Sequence, residues 1–345
     1  MRYVLPVLIL VTGAAGLSAG AWAAPGASAY AFSAAGESSC ATFGPTEQLR
    51  NSLLAGVVSV GTPGPGCNVI ESLQYNPAVS GGTANATAAA ATAGPINTQF
   101  GFGSTNGTST SRAASGVLGA KARSTFAGAS DAFTVRGAEA FGVFTETVLI
   151  GSLGGPESYF HGTFTVDGSM SLAGRGQGQI LLAYQKDAGP QYTTFSMMMG
   201  DPLANPIVSV FNGFAQSANA PLGLTLSPGR ASGSADIDFY VPMTSGVSFD
   251  LTVTLFASAL TSASTGFPDP SVTETDFFST ARLTHIDVLD SAFQPVSGFT
   301  IQTGSGAVYD MNGVHIAAVP EPSVWALLLM GLVTVAALAQ RGKST

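Results

Sequence analysis

The sequence predicts an all-β protein whose body is an antiparallel β-sandwich, with a jelly-roll arrangement as the leading variant. Three observations predict this fold class. Charged residues make up only 9% of the chain, against about a quarter in typical domains, so helices would lack the ion pairs that support them. The chain also contains 43 glycines among 345 residues. Several segments alternate apolar and polar residues, as strands with one buried face do.

The alternating segments lie within residues 116–318, which we predict to form the sandwich body. Residues 141–150 are rich in β-forming side chains. Three further segments carry apolar residues on one phase: Phe160, Gly162, Phe164 and Val166; Ala235, Ile237, Phe239 and Val241; and Val247, Phe249, Leu251, Val253 and Leu255. Turn residues are expected to end strands, as at 166–168 and 267–270. Many short strands separated by turns favour a sandwich over a βαβ architecture.

Residues 24–115 form a region rich in Ala, Gly, Ser and Thr ahead of that body. We expect residues 24–44 to be poorly fixed and the low-complexity residues 78–115 to be loop or linker. A short edge strand at residues 97–102 is the alternative. A short helix at residues 46–60 is predicted from the spacing of Leu49, Leu53, Leu54 and Val57. An internal boundary would therefore fall within residues 78–115, although no repeat requires two domains.

Cys40 and Cys67 are the only cysteines of the chain. An even pair in an oxidising compartment is typical of one disulfide. A disulfide between them would close a loop of about 27 residues, which would stabilise the fold by about 3 kcal/mol in the chain-entropy description. We therefore predict a bond between Cys40 and Cys67, with two free thiols as the alternative.

Residues 1–23 have the three parts of a secretory signal peptide. Met1 and Arg2 give a short positive start, residues 4–17 are apolar, and Ala21, Trp22 and Ala23 form a small-x-small cleavage site. The apolar run is short for a membrane span, which favours cleavage over an uncleaved anchor. We predict export by the Sec machinery and a mature chain that begins at Ala24.

Residues 319–345 have the pattern of a membrane anchor. A helix over residues 323–339 would span about 26 Å, enough for a bilayer core. Trp325 would lie at the interface, and Arg341 and Lys343 would remain in the cytoplasm. A buried core helix fits less well because a basic tail follows directly. The segment that precedes the helix consists of Val319, Pro320, Glu321, Pro322 and Ser323.

This proline-rich segment, the apolar span and the basic end together resemble a PEP-CTERM sorting domain. Proteins with such a tail come from Gram-negative bacteria that make exopolysaccharide. The resemblance implies that an exosortase, a membrane-embedded processing enzyme, recognises the Pro-Glu-Pro segment and cleaves nearby. The body would pass from a transient inner-membrane form in the periplasm to the cell surface or the biofilm matrix. Residues 159–168 and 297–310 are similar to segments of uncharacterised proteins with this tail, which implies no activity.

The sequence offers little support for catalysis. The histidines, His161, His285 and His315, do not have the spacing of a zinc site. Residues 24–319 contain no Gly-x-Ser-x-Gly elbow and no Walker-type phosphate loop. A Ser-His-Asp triad assembled from distant residues stays open, because triads are defined in space. We predict that the protein is not an enzyme, and that His161 and His285 lie on the polar faces of strands.

Acidic residues outnumber basic ones. The chain holds 20 Asp and Glu against 12 Lys and Arg, and three of those bases lie in the two terminal segments. This balance disfavours nucleic acid as a partner. Asp236 and Asp238 share one strand face, while a second stretch is crowded with Asp269, Glu274, Asp276, Asp287 and Asp290.

Clustered carboxylates can bind calcium through hard oxygen ligands. The candidate ligands here are Asp269, Glu274 and Asp276, and a solvated acidic edge is the alternative. No other cofactor is indicated. We expect an exported surface or matrix protein without enzymatic activity. The alternative is a calcium- or carbohydrate-binding module associated with exopolysaccharide. A glycoside hydrolase with two opposed carboxylates is the third hypothesis.

Overall fold

A computed structural model describes thirteen stretches of the chain. They are residues 26–36, 70–81, 85–98, 101–130, 135–151, 157–187, 189–200, 202–211, 216–218, 223–262, 270–306, 308–310 and 313–315. All regular structure within them is strand, and the pairing is antiparallel throughout the two large sheets. The predicted all-β, antiparallel class is confirmed.

Eighteen strands are described, and most of the long ones carry alternating buried and exposed side chains. In chain order they are β1 (Gly26–Gly36), β2 (Ile70–Gly81), β3 (Ala86–Thr98), β4 (Gly101–Ala114), β5 (Val117–Ser130), β6 (Val135–Gly151), β7 (Glu157–Ala173), β8 (Gly176–Lys186), β9 (Gln191–Met199), β10 (Ile207–Phe211), β11 (Gln216–Ala218), β12 (Leu224–Ser227), β13 (Arg230–Thr244), β14 (Phe249–Ser262), β15 (Ser271–Asp290), β16 (Thr300–Thr303), β17 (Val308–Asp310) and β18 (Gly313–His315).

The strands form two large sheets and one small ribbon. Sheet A has the order β11-β10-β9-β8-β14-β6-β1-β2, and β16 also pairs with β6. Sheet B has the order β12-β13-β7-β15-β5-β4-β3, and β17 pairs with β18. One apolar core contains side chains from both large sheets, an arrangement consistent with a β-sandwich. The two sheets hold sixteen described strands together, whereas a jelly roll has eight.

Two late strands occupy the middle of the sheets. In sheet A, β14 lies between β6 and β8. In sheet B, β15 lies between β5 and β7. Each sheet therefore joins strands from the first half of the chain to strands from the middle through a strand near residues 249–290.

The strands predicted from alternation are present, with two differences in their ends. The expected segments fall on β6, β7, β13 and β14, with their apolar phase buried. Val247, however, precedes β14 and is 57% exposed. Asp167 and Gly168 do not end a strand, because β7 continues to Ala173. The absent side chain of Gly168 leaves room for the ring of Phe277 on β15, which explains a glycine inside a strand.

The prediction of loop or linker for residues 78–115 is wrong. β3 and β4 cover most of that range and pair with each other along their whole length. On β3, Ala86, Ala88 and Ala90 are buried, whereas Thr87 is exposed. The alternation is present but carried by small residues with low intrinsic strand preference, so tertiary pairing decides the structure. Residues 26–36 are likewise the strand β1, which joins β2 to β6.

The core has a region lined by small side chains, which we call the small-residue region. It is built from β1, β3, β4, β5, the first half of β6 and the last half of β14. Cα atoms of β1 come within 8 Å of Cα atoms of β3 and β4 in the opposite sheet, closer than the 10 Å typical of packed sheets. Its buried alanines include Ala27, Ala29, Ala31, Ala120, Ala122, Ala138, Ala140, Ala257 and Ala259.

Hydroxyl groups join the two sheets at the border of this region. Thr273 Oγ1 donates to the backbone oxygen of Leu260 at 2.7 Å, and Thr275 Oγ1 donates to that of Ser258 at 2.9 Å. The hydroxyls of Ser124 and Thr261 lie 2.7 Å apart. These short side chains can reach the opposite sheet only because the sheets lie close together.

The rest of the core, which we call the bulky region, is filled by aromatic and long aliphatic side chains. Phe164 is completely buried, and its ring centroid lies 6.2 Å from that of Phe144 and 5.8 Å from that of Phe239. Gly162 leaves space for the Phe239 ring, which a Cβ there would meet at 2.5 Å. Met197 and Met199 are also core residues. The bulky region is therefore filled by rings that occupy the space left by glycine.

Several sequence predictions lie outside the described residues. They are the signal peptide with Ala21, Ala23 and Ala24, the helix at 46–60, the disulfide of Cys40 and Cys67, and the whole tail from Val319 onward. Among the described residues, no helix is long and apolar enough to cross a membrane.

Candidate functional site

Chemistry-bearing side chains gather on the outer face of sheet B, over the central strands β13, β7 and β15. His161 on β7 is in register with Tyr240 on β13 and Asp287 on β15. One step along the strands, Thr163 is in register with Asp238 and His285. All these side chains face away from the core because they alternate with buried residues such as Phe160 and Phe164.

Two imidazoles and two carboxylates form a chain, which we call the His–Asp chain. Nε2 of His285 lies 3.0 Å from Oδ2 of Asp287, and Nδ1 of His161 lies 3.2 Å from the same oxygen. On its other side, Nε2 of His161 lies 3.3 Å from Oδ1 of Asp238, a contact without hydrogen-bond alignment. His161 is the most enclosed member, with 13% of its side chain exposed. The order is therefore His285, Asp287, His161, Asp238.

The two carboxylates favour the protonated form of His161. Burial by itself lowers the pKa of His161, but the contacts with Asp238 and Asp287 outweigh burial and raise the pKa above the ordinary 6.5. The same contact with His161 is the main cause that holds the pKa of Asp238 below 3.8. Burial raises the pKa of Tyr240, and the negative charges of Asp238 and Asp287 add to that shift. An imidazolium at His161 is therefore stabilised by the carboxylates on its two sides.

A group of aromatic rings packs beside His161 of the His–Asp chain. Tyr240 stacks on His161 with 4.6 Å between ring centroids. Phe293 stacks on Tyr159 at 4.6 Å and meets Tyr240 edge to face at 6.1 Å. We call Tyr159, Tyr240 and Phe293 the ring cluster. Phe293 is 42% exposed, although it belongs to this packed group.

Phe293 occupies a strained turn after β15. The turn is closed by the N–H of Phe293 donating to the Asp290 oxygen and by the N–H of Asp290 donating to the Gln294 oxygen. The Asp290 side chain accepts from the N–H groups of Ala292 and Gln294. Phe293 has a φ of 59°, a left-handed conformation that is usual for glycine at this place in a three-residue hairpin loop. For a bulky residue it costs about 1–2 kcal/mol, which ring stacking of about 0.5–1.5 kcal/mol offsets.

Threonines extend the polar surface along the strands. The hydroxyl of Thr163 donates to Asp238 at 2.7 Å, and that of Thr165 donates to Asp236 at 2.6 Å. Each carboxylate retains lone pairs that point to solvent, because Asp236 and Asp238 are both exposed. The prediction that these two aspartates share one polar strand face is confirmed.

Two of the three candidate calcium ligands are engaged with a lysine. Nζ of Lys121 on β5 lies 2.9 Å from Oε1 of Glu274 and 2.5 Å from Oδ2 of Asp276. Asp269 lies outside the described residues. Within the part of the chain that the structure describes, no group of three His, Cys, Asp or Glu side chains is arranged to hold a metal ion. A calcium ion at Glu274 and Asp276 would have to displace Lys121.

The geometry around His161 does not suit the base of a Ser-His-Asp triad. Both ring nitrogens of His161 face carboxylates, so neither is placed to take a proton from a serine. The imidazole also fills the space between Asp238 and Asp287, where a glycosidase would hold its substrate. The polar groups of this face can instead accept hydrogen bonds from a ligand lying on the sheet and donate hydrogen bonds to it.

Sequence reasoning found part of this surface. It placed His161, His285, Asp236 and Asp238 on polar strand faces, and the structure brings three of them together with Asp287. It did not find their pairing, because strand register between residues from 75 to 126 positions apart has no local signal. Phe293 was missed altogether. Asp290 and Ser291 favour a turn, but no glycine marks the left-handed position that Phe293 occupies.

In comparisons with known proteins, no protein-family model, no curated protein and no solved structure matches this chain. The candidate site therefore stands on its geometry alone.

Proposed function

We propose that this chain is an exported component of the bacterial cell surface or extracellular matrix, without enzymatic activity, delivered by a signal peptide and processed at its C-terminal tail. The observation that supports this proposal most directly is the mutual pairing of the polar groups on sheet B. His161 lies between Asp238 and Asp287, and Lys121 lies between Glu274 and Asp276. Side chains paired in this way stabilise a sheet surface.

The composition supports the same proposal. The long antiparallel strands of the chain are rich in Ala, Thr, Ser and Gly and carry few charges. Such a body, with its net negative charge, offers little to attract nucleic acid. The Pro-Glu-Pro segment with its apolar span and basic end is the feature from which sorting by an exosortase-type enzyme is inferred.

The test follows the body in cells of the native bacterium. Cells produce the full chain or a variant with Pro320, Glu321 and Pro322 all replaced by alanine, and an antibody against the body probes inner membrane, cell surface and medium. The proposal expects the wild-type body outside the inner membrane with an N-terminus at Ala24, and the variant held in the inner membrane. Gln340→Ala is the matched control within the tail and should behave as wild type.

Other outcomes would contradict the proposal. A body that keeps Met1 would rule out cleavage of the signal peptide. A triple variant that reaches the surface as efficiently as wild type would show that the Pro-Glu-Pro segment does not direct sorting.

A second experiment deletes residues 320–345. This deletion should release the body into the medium with no membrane-bound form.

A further inference from the structure

The outer face of sheet B keeps an aromatic ring exposed at a backbone position where a ring is unfavourable. Phe293 has a φ of 59° and is 42% exposed. Glycine would adopt this conformation without strain and would complete the same turn. The turn itself is held by backbone hydrogen bonds and by the Asp290 side chain, so the ring is not needed to form it. Ring stacking offsets the strain, but a bulky side chain at such a place still points to a function for the exposed part of the ring.

The ring cluster stands beside groups that can accept and donate hydrogen bonds. Tyr240 of the cluster stacks on His161, and the partly exposed Asp238, Thr163 and His285 lie one register step further along the same three strands. Sugars present apolar C–H faces to aromatic rings and hydroxyl groups to polar neighbours. The juxtaposition of rings with both acceptors and donors on a sheet face matches that chemistry.

The charges of this surface select among glycans. The chain carries a net charge of −8, and Asp238 and Asp287 lie on this face, which disfavours a polyanionic ligand. Both carboxylates already contact imidazoles, so a cationic ligand would compete with His161 and His285 for them. A neutral glycan meets neither obstacle.

We propose that the ring cluster and the adjoining His–Asp chain form a binding site for a neutral polysaccharide, with Phe293 as the exposed stacking residue. The inference does not depend on how the protein is exported, and it extends the proposed function by giving the body a ligand class. Sugar rings would lie against Phe293 while their hydroxyl groups reach Asp238 and its neighbours.

The experiment measures binding of the purified full-length chain, held in detergent, to immobilised hexasaccharides of glucose, galactose, mannose and xylose. Polygalacturonate and a chitosan hexamer serve as acidic and cationic probes. Phe293→Gly removes the ring and relieves the backbone strain, and Phe293→Asn does the same with a second residue that tolerates the left-handed region. Phe293→Tyr keeps a ring. Leu203→Gly removes another exposed apolar side chain, 84% exposed, as the control.

The proposal expects binding to at least one neutral hexasaccharide, weakened tenfold or more in Phe293→Gly and Phe293→Asn. Phe293→Tyr and Leu203→Gly should remain within about twofold of wild type, since each leaves a ring at 293. Far-UV circular dichroism identifies which of the two ring-removing variants is folded and can be used. Failure to bind any neutral glycan at millimolar concentration, equal binding by the folded ring-removing variant, or tighter binding of either charged probe would overturn the proposal.

Discussion

The two regions of the core bring the sheets together in different ways. In the small-residue region, alanines and glycines let backbones approach within 8 Å between Cα atoms, and threonine hydroxyls bond directly to the opposite sheet. In the bulky region, phenylalanines and methionines fill the space between the sheets. The first region has no spare volume, whereas the second depends on filled volume. We therefore expect overpacking to destabilise the small-residue region and cavities to destabilise the bulky region.

The largest effect is expected from opening a cavity in the bulky region. Phe164→Ala should lower the free energy of unfolding by about 3–5 kcal/mol, because a fully buried ring in contact with two others is lost. Urea unfolding followed by far-UV circular dichroism measures it, since both tryptophans of the chain lie in the terminal segments. Ala122→Gly is the counterpart in the small-residue region and should cost about 1 kcal/mol. Equal losses would show that the two regions do not differ in packing.

The next effect is expected from adding a single methyl group to the small-residue region. A Cβ on Gly142 would lie 2.5 Å from the backbone oxygen of Arg112 in the opposite sheet. Gly142→Ala should therefore destabilise the protein by about 1–3 kcal/mol, as overpacking does. Gly200→Ala is the control, because a Cβ there meets nothing within 4 Å in the described structure. If Gly142→Ala unfolds at the same urea concentration as wild type, the two sheets do not approach each other as closely as in this structure.

A smaller effect is expected from removing one hydrogen bond between the sheets. Thr275→Val keeps the side-chain shape but loses the hydroxyl that donates to the Ser258 oxygen. The free energy of unfolding should fall by about 1 kcal/mol, the net value of such a bond. Thr87→Val on the exposed face of β3 should change it by less than about 0.5 kcal/mol. A neutral Thr275→Val would mean that close approach alone, without hydroxyl bonding, holds this region.

The smallest effect extends the comparison to the outer surface over the bulky region. The pKa of His161 is raised by Asp238 and Asp287, while Tyr240 and His285 also lie against it. The stabilisation of the fold by protonated His161 is therefore complete below about pH 6.5. It is lost as the pH rises through the higher pKa that His161 has in the folded protein. Asp238, whose pKa is lowered, adds stability that is lost only as the pH falls below about 4.

Unfolding free energies measured between pH 5.5 and pH 9 test this prediction. Wild type should lose about 0.5–1 kcal/mol across that range relative to His161→Gln, as expected of a partly exposed ion pair. Thr165→Val, on the same face of β7 but bonded to Asp236 outside the His–Asp chain, is the control and should keep the wild-type pH dependence. Parallel profiles for wild type and His161→Gln would show that the histidine does not stabilise the fold through its charge.

The comparison also explains what the sequence could and could not predict. In the bulky region, alternation of Phe, Ile, Val and Leu with polar residues located β7, β13 and β14 directly, because large apolar residues make the phase visible. In the small-residue region, Ala86 to Ala90 alternate equally well in the structure, yet Ala and Thr differ little in hydrophobicity, so a loop was predicted. Strand order and register, which create the His–Asp chain, depend on partners from 75 to 126 residues away. The turn that exposes Phe293 has no glycine to mark it.

The position of β14 and β15 sets an order on biosynthesis. A nascent chain that has reached residue 248 has made β6 and β8 but lacks the strand that lies between them, and β5 and β7 are separated in the same way. Sheet A cannot become continuous until about residue 262 has emerged, and sheet B cannot become continuous until about residue 290 has emerged. For the proposed export before folding, such a delay would help, because the first 248 residues cannot form two continuous sheets in the cytoplasm.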